Sequence, residues 1–197
     1  MMGAVIRTTL LLGMLALTAC ATSPVPKEQY FRLVATAAPE KVAHPITGVV
    51  EVVPFAADGV AGERPLLFTA NGVKLEQRNY AYWTDVPVAM LRDQTISYLR
   101  SAGLADKVVP SELRVGGLYR IQGDIKRLEQ SVAGKKSIGI IEIELSLIDE
   151  DSDALVVSKV YHSEQPAADD SIDAAVTALD AGLNDILKRF TADIDAR

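Results

Sequence analysis

The chain has 197 residues, 20 Lys and Arg against 26 Asp and Glu, a formal net charge of −6 and a single cysteine. That length suits one domain. The acidic balance argues against nucleic acid as a partner and against broad adhesion to anionic lipid, and one cysteine allows no internal disulfide.

The chain opens with an apolar run. Arg7 precedes the stretch Thr8 to Leu17, rich in Leu, Met and Ala, and Thr18, Ala19 and Cys20 follow. A charged start, an apolar middle and small residues at the end predict a secretory signal over residues 1–19. The stretch is too short to span a bilayer, which takes about 20 apolar residues. Leu17-Thr18-Ala19-Cys20 resembles the bacterial lipobox. In proteins with that motif the cysteine becomes the first mature residue. The resemblance therefore implies a covalent diacylglycerol and an N-acyl chain on Cys20, and no other cofactor. Each buried methylene adds about 0.8 kcal/mol, so several acyl chains make a firm membrane anchor. Ala21 stands where an aspartate favours inner-membrane retention in enterobacterial lipoproteins. The absence of that aspartate resembles the outer-membrane sorting pattern, with the domain on the periplasmic face.

Residues 20–29 read as a lipidated tether, with Thr22, Ser23, Pro24 and Pro26 and no periodicity. At about 3.3 Å per residue its reach is roughly 30 Å. The folded domain is predicted over residues 30–197.

Tyr30 to Val34 is the first strand candidate, and Ala35 to Pro45 reads as a loop. Gly48 to Val53 is rich in β-branched residues and predicts a buried central strand, ended by Pro54. Asp58 to Pro65 reads as a surface loop. Leu66 to Ala70 and Val73 to Tyr82 flank Asn71-Gly72, the strongest short hairpin signal. Asp85 is a candidate helix cap and Pro87 suits the first turn. Val88, Leu91, Thr95, Tyr98, Leu99 and Ala102 then keep helical spacing up to Gly103, a natural stop.

Tyr119, Ile121, Gly123 and Ile125 alternate with polar residues, as do Ile141, Ile143, Leu145 and Leu147. Leu155 to Tyr161 returns after a polar turn from Asp149 to Ala154. Strands joined by short polar loops predict an antiparallel meander. Ser171 opens the last element, where Ile172, Val176, Leu179, Leu183, Ile186, Leu187, Phe190 and Ile194 form one stripe of a helix of about six turns. The fold class is α/β of the α+β kind: a single compact domain, its mostly antiparallel sheet covered by two amphipathic helices.

Constellations for chemistry are sparse. His44 and His162 have no Cys or His neighbour at ligand spacing. Asp149, Asp151 and Asp153 imitate the start of a calcium loop, but Ala154 and Val160 stand where Gly and Glu belong. Gly134-Lys135-Lys136-Ser137 lacks the upstream glycine spacing of a phosphate loop and reads as a hairpin turn. There is no nucleophile elbow and no dinucleotide fingerprint. This pattern points away from an enzyme. The aromatic segment from Tyr80 to Pro87 is the most distinctive feature after the anchor. It suits packing of the helix start onto the sheet, or a docking patch.

Taken together, several segments resemble the ABC-type transport auxiliary lipoproteins of the PqiC kind. They are the lipobox at Cys20, Tyr30-Phe31-Arg32-Leu33, Gly48 to Pro54, Arg64-Pro65-Leu66, the aromatic run into Met90-Leu91, Gly123 with Leu128-Glu129, and the late helix. The resemblance implies a compact domain similar to the amino-terminal domain of TolB. It also implies an outer-membrane-anchored periplasmic docking component of an ABC/MCE-type lipid transport system. The partners expected are an MCE-domain protein, the membrane through the lipid anchor, and further copies of the chain as a homo-oligomer, with no nucleic acid. Arg64, Asn71, Gly72 and Trp83 are the candidate partner contacts. The alternative is a periplasmic lipid carrier with its own apolar cavity, which needs a concave site of several hundred cubic ångströms.

Overall fold

In the computed structural model, which describes residues 26–35, 38–134 and 136–197, the chain order is β1 (Gln29–Phe31), β2 (Ile46–Val52), β3 (Ala56–Ala57), β4 (Pro65–Thr69), β5 (Leu75–Trp83), α1 (Pro87–Ala102), β6 (Ala105–Pro110), β7 (Tyr119–Ala133), β8 (Lys136–Asp149), β9 (Leu155–Pro166) and α2 (Ile172–Asp195). The long antiparallel ladders β7–β8 and β8–β9 form the expected meander. Gly134, at φ +61°, turns the first hairpin; Lys135 lies outside the described residues. The second turn is closed by the Asp149 carboxylate, whose Oδ1 accepts from the backbone N–H of Asp151 and Ser152 at 3.0 and 2.9 Å. That carboxylate makes a polar turn where the sequence imitated a calcium loop.

β7 runs past Lys126, where its alternation in the sequence breaks. Ile125 pairs with Ile143 but Arg127 pairs with Glu142, so one extra residue is accommodated in a bulge. Ile125 and Leu128 are an odd number of residues apart and would face opposite sides of a regular strand. The bulge puts both in the core, Ile125 beside Ile143 and Leu128 beside Ile141.

The other edge of β7 is shared. β2, β3 and β4 pair with it in parallel, one after another along its length. β6 extends the sheet beyond β2 in parallel, and β5 extends it beyond β4 as an antiparallel hairpin. β1 adds to β5 in parallel, Tyr30 opposite Tyr82. The hairpin at Asn71-Gly72 has a longer loop than a two-residue turn. Asn71 Oδ1 closes it by accepting from the N–H of Val73 and Lys74 at 3.1 and 3.0 Å.

Asp85 does not cap α1. Val86 holds the cap position in extended conformation, and the Asp85 carboxylate takes the N–H of Val86 at 2.7 Å. Pro87 then starts the helix with φ preset and no N–H to satisfy. Gly103, left-handed at φ +69°, ends it. Ser171 caps α2, its Oγ accepting from Ala174 N–H at 3.2 Å. The predicted stripe from Val176 to Ile194 lies against β8 and β9. The approach is close at Gly182, where a Cβ would stand 2.7 Å from Ile141 Cγ2. Among the described residues two α-helices thus cover one curled sheet of nine strands; the helix-covered sheet is the predicted arrangement, while β3 and β6 were not among the strand candidates.

Candidate functional site

Cys20 lies outside the described residues. The other candidates fall on the β1–β4–β5 side of the sheet. Trp83 is 2 % exposed, among the largest fully enclosed side chains in the core cluster. Its indole is therefore not presented to a partner, and of the two readings of the aromatic segment it takes the packing one. Arg64 is exposed, but its guanidinium is engaged in holding the fold together. Nε and Nη2 donate to Trp83 carbonyl oxygen at 3.3 and 3.2 Å, and the group sits 5.8 Å from the Tyr30 ring centroid. The cation thus ties β1 to the end of β5. Asn71 and Gly72 are exposed on the hairpin loop, where Gly72 N–H donates to Thr69 Oγ1 at 2.9 Å.

Three polar groups reach into the packing between elements. Gln130 is nearly buried, accepts from Arg78 Nη2 at 2.6 Å and donates to Ser137 Oγ and Asp170 carbonyl oxygen at 2.9 and 3.2 Å. Arg78 also lies over the Phe68 ring at 4.1 Å. Tyr161, fully buried, donates to Asp193 at 2.6 Å across the β9–α2 contact. Burial and that bond push the phenol up, while the phenol and Lys159 hold the Asp193 carboxyl below its ordinary range. Asp180 on α2 accepts the N–H of Val34 at 2.8 Å, and partial burial raises its carboxyl to about 6. None of these was legible beforehand, since a lone Gln, Tyr or Asp in a periodic segment carries no spacing signal.

The depressions in the surface are open and bordered by charge. One of about 300 Å³ is lined by Val53, Gln122, Asp124 and Glu144. Another of about 580 Å³ is lined by Phe68, Glu76, Arg78 and Asn79. The large apolar side chains pack instead into one continuous core. His162 lies between Glu142 and Glu164, at 2.9 and 3.1 Å. Among the described residues no cluster of His, Cys, Asp and Glu could hold a metal, and no helix is long and apolar enough to cross a membrane.

Exposed apolar side chains are spread over the surface: Tyr30, Val73, Leu75 and Tyr80 on the β1–β5 side, and Leu113, Val115 and Leu118 on the β6–β7 loop with Leu155 at the start of β9. The β6–β7 loop carried a weak sequence signal, because Leu113-Arg114-Val115-Gly116-Gly117-Leu118 has no periodicity.

The comparisons with known proteins decide the family. The family described as ABC-type transport auxiliary lipoprotein component matches residues 31–190. The chain belongs to that family. No curated protein matches it. Its fold is similar to the crystal structure of protein XCC0632 from Xanthomonas campestris, of the family DUF330, at TM-score 0.73 and 16% identity over 85% of this chain and 96% of that one. An uncharacterized protein is similar at TM-score 0.68 and 14% identity, covering 86% and 99%. A PelC dodecamer from Paraburkholderia phytofirmans is similar at TM-score 0.51 and 15% identity, covering 82% and 96%. At such identities these likenesses are of fold. The auxiliary lipoprotein is thus an envelope-associated transport component that works with other proteins.

Proposed function

We propose that this auxiliary lipoprotein is a docking component of an ABC/MCE-type intermembrane lipid transport system. Cys20 carries its lipid, residues 20–29 tether it to the periplasmic face of the outer membrane, and the domain of residues 30–197 binds an MCE-domain protein. The family match across residues 31–190 carries the reading. The filled core and the open, charged depressions favour docking over carriage, since a carrier needs an apolar concavity of several hundred cubic ångströms. Likeness to the fold of a PelC dodecamer supports a homo-oligomer. A symmetric assembly multiplies weak contacts to a symmetric partner. Arg64, Asn71 and Gly72 are proposed contacts with that partner. The test is crosslinking of the lipidated chain in intact cells and identification of what it captures. Capture of an MCE-domain protein is expected; capture of free lipid alone would favour the carrier.

A further inference from the structure

We infer that the cleft between α1 and α2, bordered by residues 38–42, is a binding site for a small zwitterion that carries an ammonium group and an oxyanion. The site goes beyond the docking function and does not depend on it.

On α2, Asn184, Lys188, Thr191 and Asp195 recur at spacings of four, three and four and so share one helix face. Tyr98 of α1 and the chain from Ala38 to Val42 supply the other walls. That chain is tied to both helices on either side of the cleft. Before it, Val34 N–H donates to Asp180 Oδ1 at 2.8 Å and Ala35 N–H to Gln94 Oε1 at 2.9 Å. After it, Val42 N–H donates to Ala102 carbonyl oxygen at 3.1 Å, and the Asp195 carboxylate takes the N–H groups of Ala43 and His44 at 2.9 and 2.7 Å. Walls fixed in this way lose less freedom when a ligand arrives. Two adjoining hollows result, of about 110 and about 320 Å³, and Glu40, Tyr98 and Lys188 line both.

Those three side chains are left open by the fold. Tyr98 is 5 % exposed, yet its hydroxyl bonds no described residue. A buried phenol ordinarily finds a partner. Burial and the Glu40 charge push this phenol up, so it stays protonated and offers an O–H. Lys188 makes no ion pair or hydrogen bond with a described residue, and neither does Glu40. The other charges around the cleft are engaged. Asp185 pairs with Arg189 at 2.7 Å, Lys41 Nζ donates to Ser101 carbonyl oxygen at 2.9 Å, and Asp195 holds its two N–H groups.

What remains is two donors, the phenol and the Lys188 ammonium, and one acceptor, the Glu40 carboxylate. They line one space without pairing with each other. A ligand oxyanion answers the donors and a ligand ammonium answers Glu40. A simple anion would face Glu40, and a simple cation would face Lys188, each a like-charge contact. An acyl chain would leave all three groups unanswered, so the site is not a lipid carrier's cavity. Two sources supply such a zwitterion: the phosphoethanolamine headgroup of a lipid and a free amino acid.

The test titrates the full lipidated chain, held in uncharged dodecyl maltoside, with glycerophosphoethanolamine, glycine and inorganic phosphate, and reads binding by calorimetry. A zwitterion is expected to bind. Tighter binding of glycerophosphoethanolamine assigns the lipid headgroup, and tighter binding of glycine assigns the free amino acid. Tyr98→Phe, Lys188→Gln and Glu40→Gln are each expected to weaken that binding about tenfold. Their thermal midpoints are expected to match the wild type, because none of the three groups bonds a described part of the fold. Lys74→Gln, on the β4–β5 hairpin loop, is expected to leave binding within about twofold. No binding at millimolar zwitterion would overturn the inference. So would inorganic phosphate binding as tightly as either zwitterion, or binding that all three substitutions leave intact. The docking function would stand in each of those cases, since no partner protein enters the measurement.

Discussion

Asp180 is the residue whose chemistry sets a measurable pH response. Its carboxyl is raised from 3.8 to about 6 by burial, against the opposing effect of the Val34 N–H. Between those two values the folded chain binds more protons than the unfolded one. Stability from this group is therefore fully present below about pH 4 and lost as pH rises through about 6. Asp180→Asn keeps an acceptor for Val34 and removes the charge. Its thermal midpoint is expected to exceed that of the wild type near pH 7.5, and to converge with it near pH 3.5. Equal midpoints at both values would show that the carboxylate is solvated. Cys20 allows a sharper test of the anchor. Cys20→Ser is expected to abolish fatty-acid labelling and release the domain into the soluble periplasmic fraction; retained label on the variant would disprove lipidation there.

Packing between α2 and the meander is the element-scale determinant of the fold. Leu183 is fully buried against it. Leu183→Asp places an unpaired carboxylate in the core, at a cost of several kcal/mol, and loss of a cooperative melting transition is expected. A midpoint shifted by only a degree or two would make α2 a detachable helix. Gly182 offers an independent check, because a Cβ there would stand 2.7 Å from Ile141 Cγ2, well inside van der Waals contact. Gly182→Val is expected to destabilise by about 1–3 kcal/mol in denaturant titration through overpacking. An unchanged or higher stability would show that the helix can lift from the sheet.

Both helices, the β4–β5 hairpin and the meander were legible because each repeats a period over enough residues to outweigh local exceptions. The alternation of β7 fades at Lys126 because a bulge inserts one residue there. The parallel pairings of β1, β2, β3 and β4 were hidden, since pairing between distant segments leaves no local pattern. Asp85 carries the right cap chemistry, yet Pro87 fixed the helix start one residue later, after Val86. At the candidate site the sequence singled out Trp83 as part of the aromatic segment from Tyr80 to Pro87. An aromatic run does not separate a core side chain from a presented one, and burial on this sheet makes Trp83 core.

At the scale of the whole molecule, the fold separates two ends. The chain before Gln29 departs toward the 70–74 loop, and exposed apolar residues lie both there, at Tyr30, Val73 and Leu75, and at Leu118 and Leu155 near the starts of β7 and β9. The most direct measurement is purification of the lipidated chain from membranes with the MCE-domain protein of the same cell, with the mass of the complex read by light scattering. A stoichiometric complex holding several copies of each chain is expected. A monomeric lipoprotein with no affinity for that protein, whether in detergent or in its membrane, would contradict the docking function.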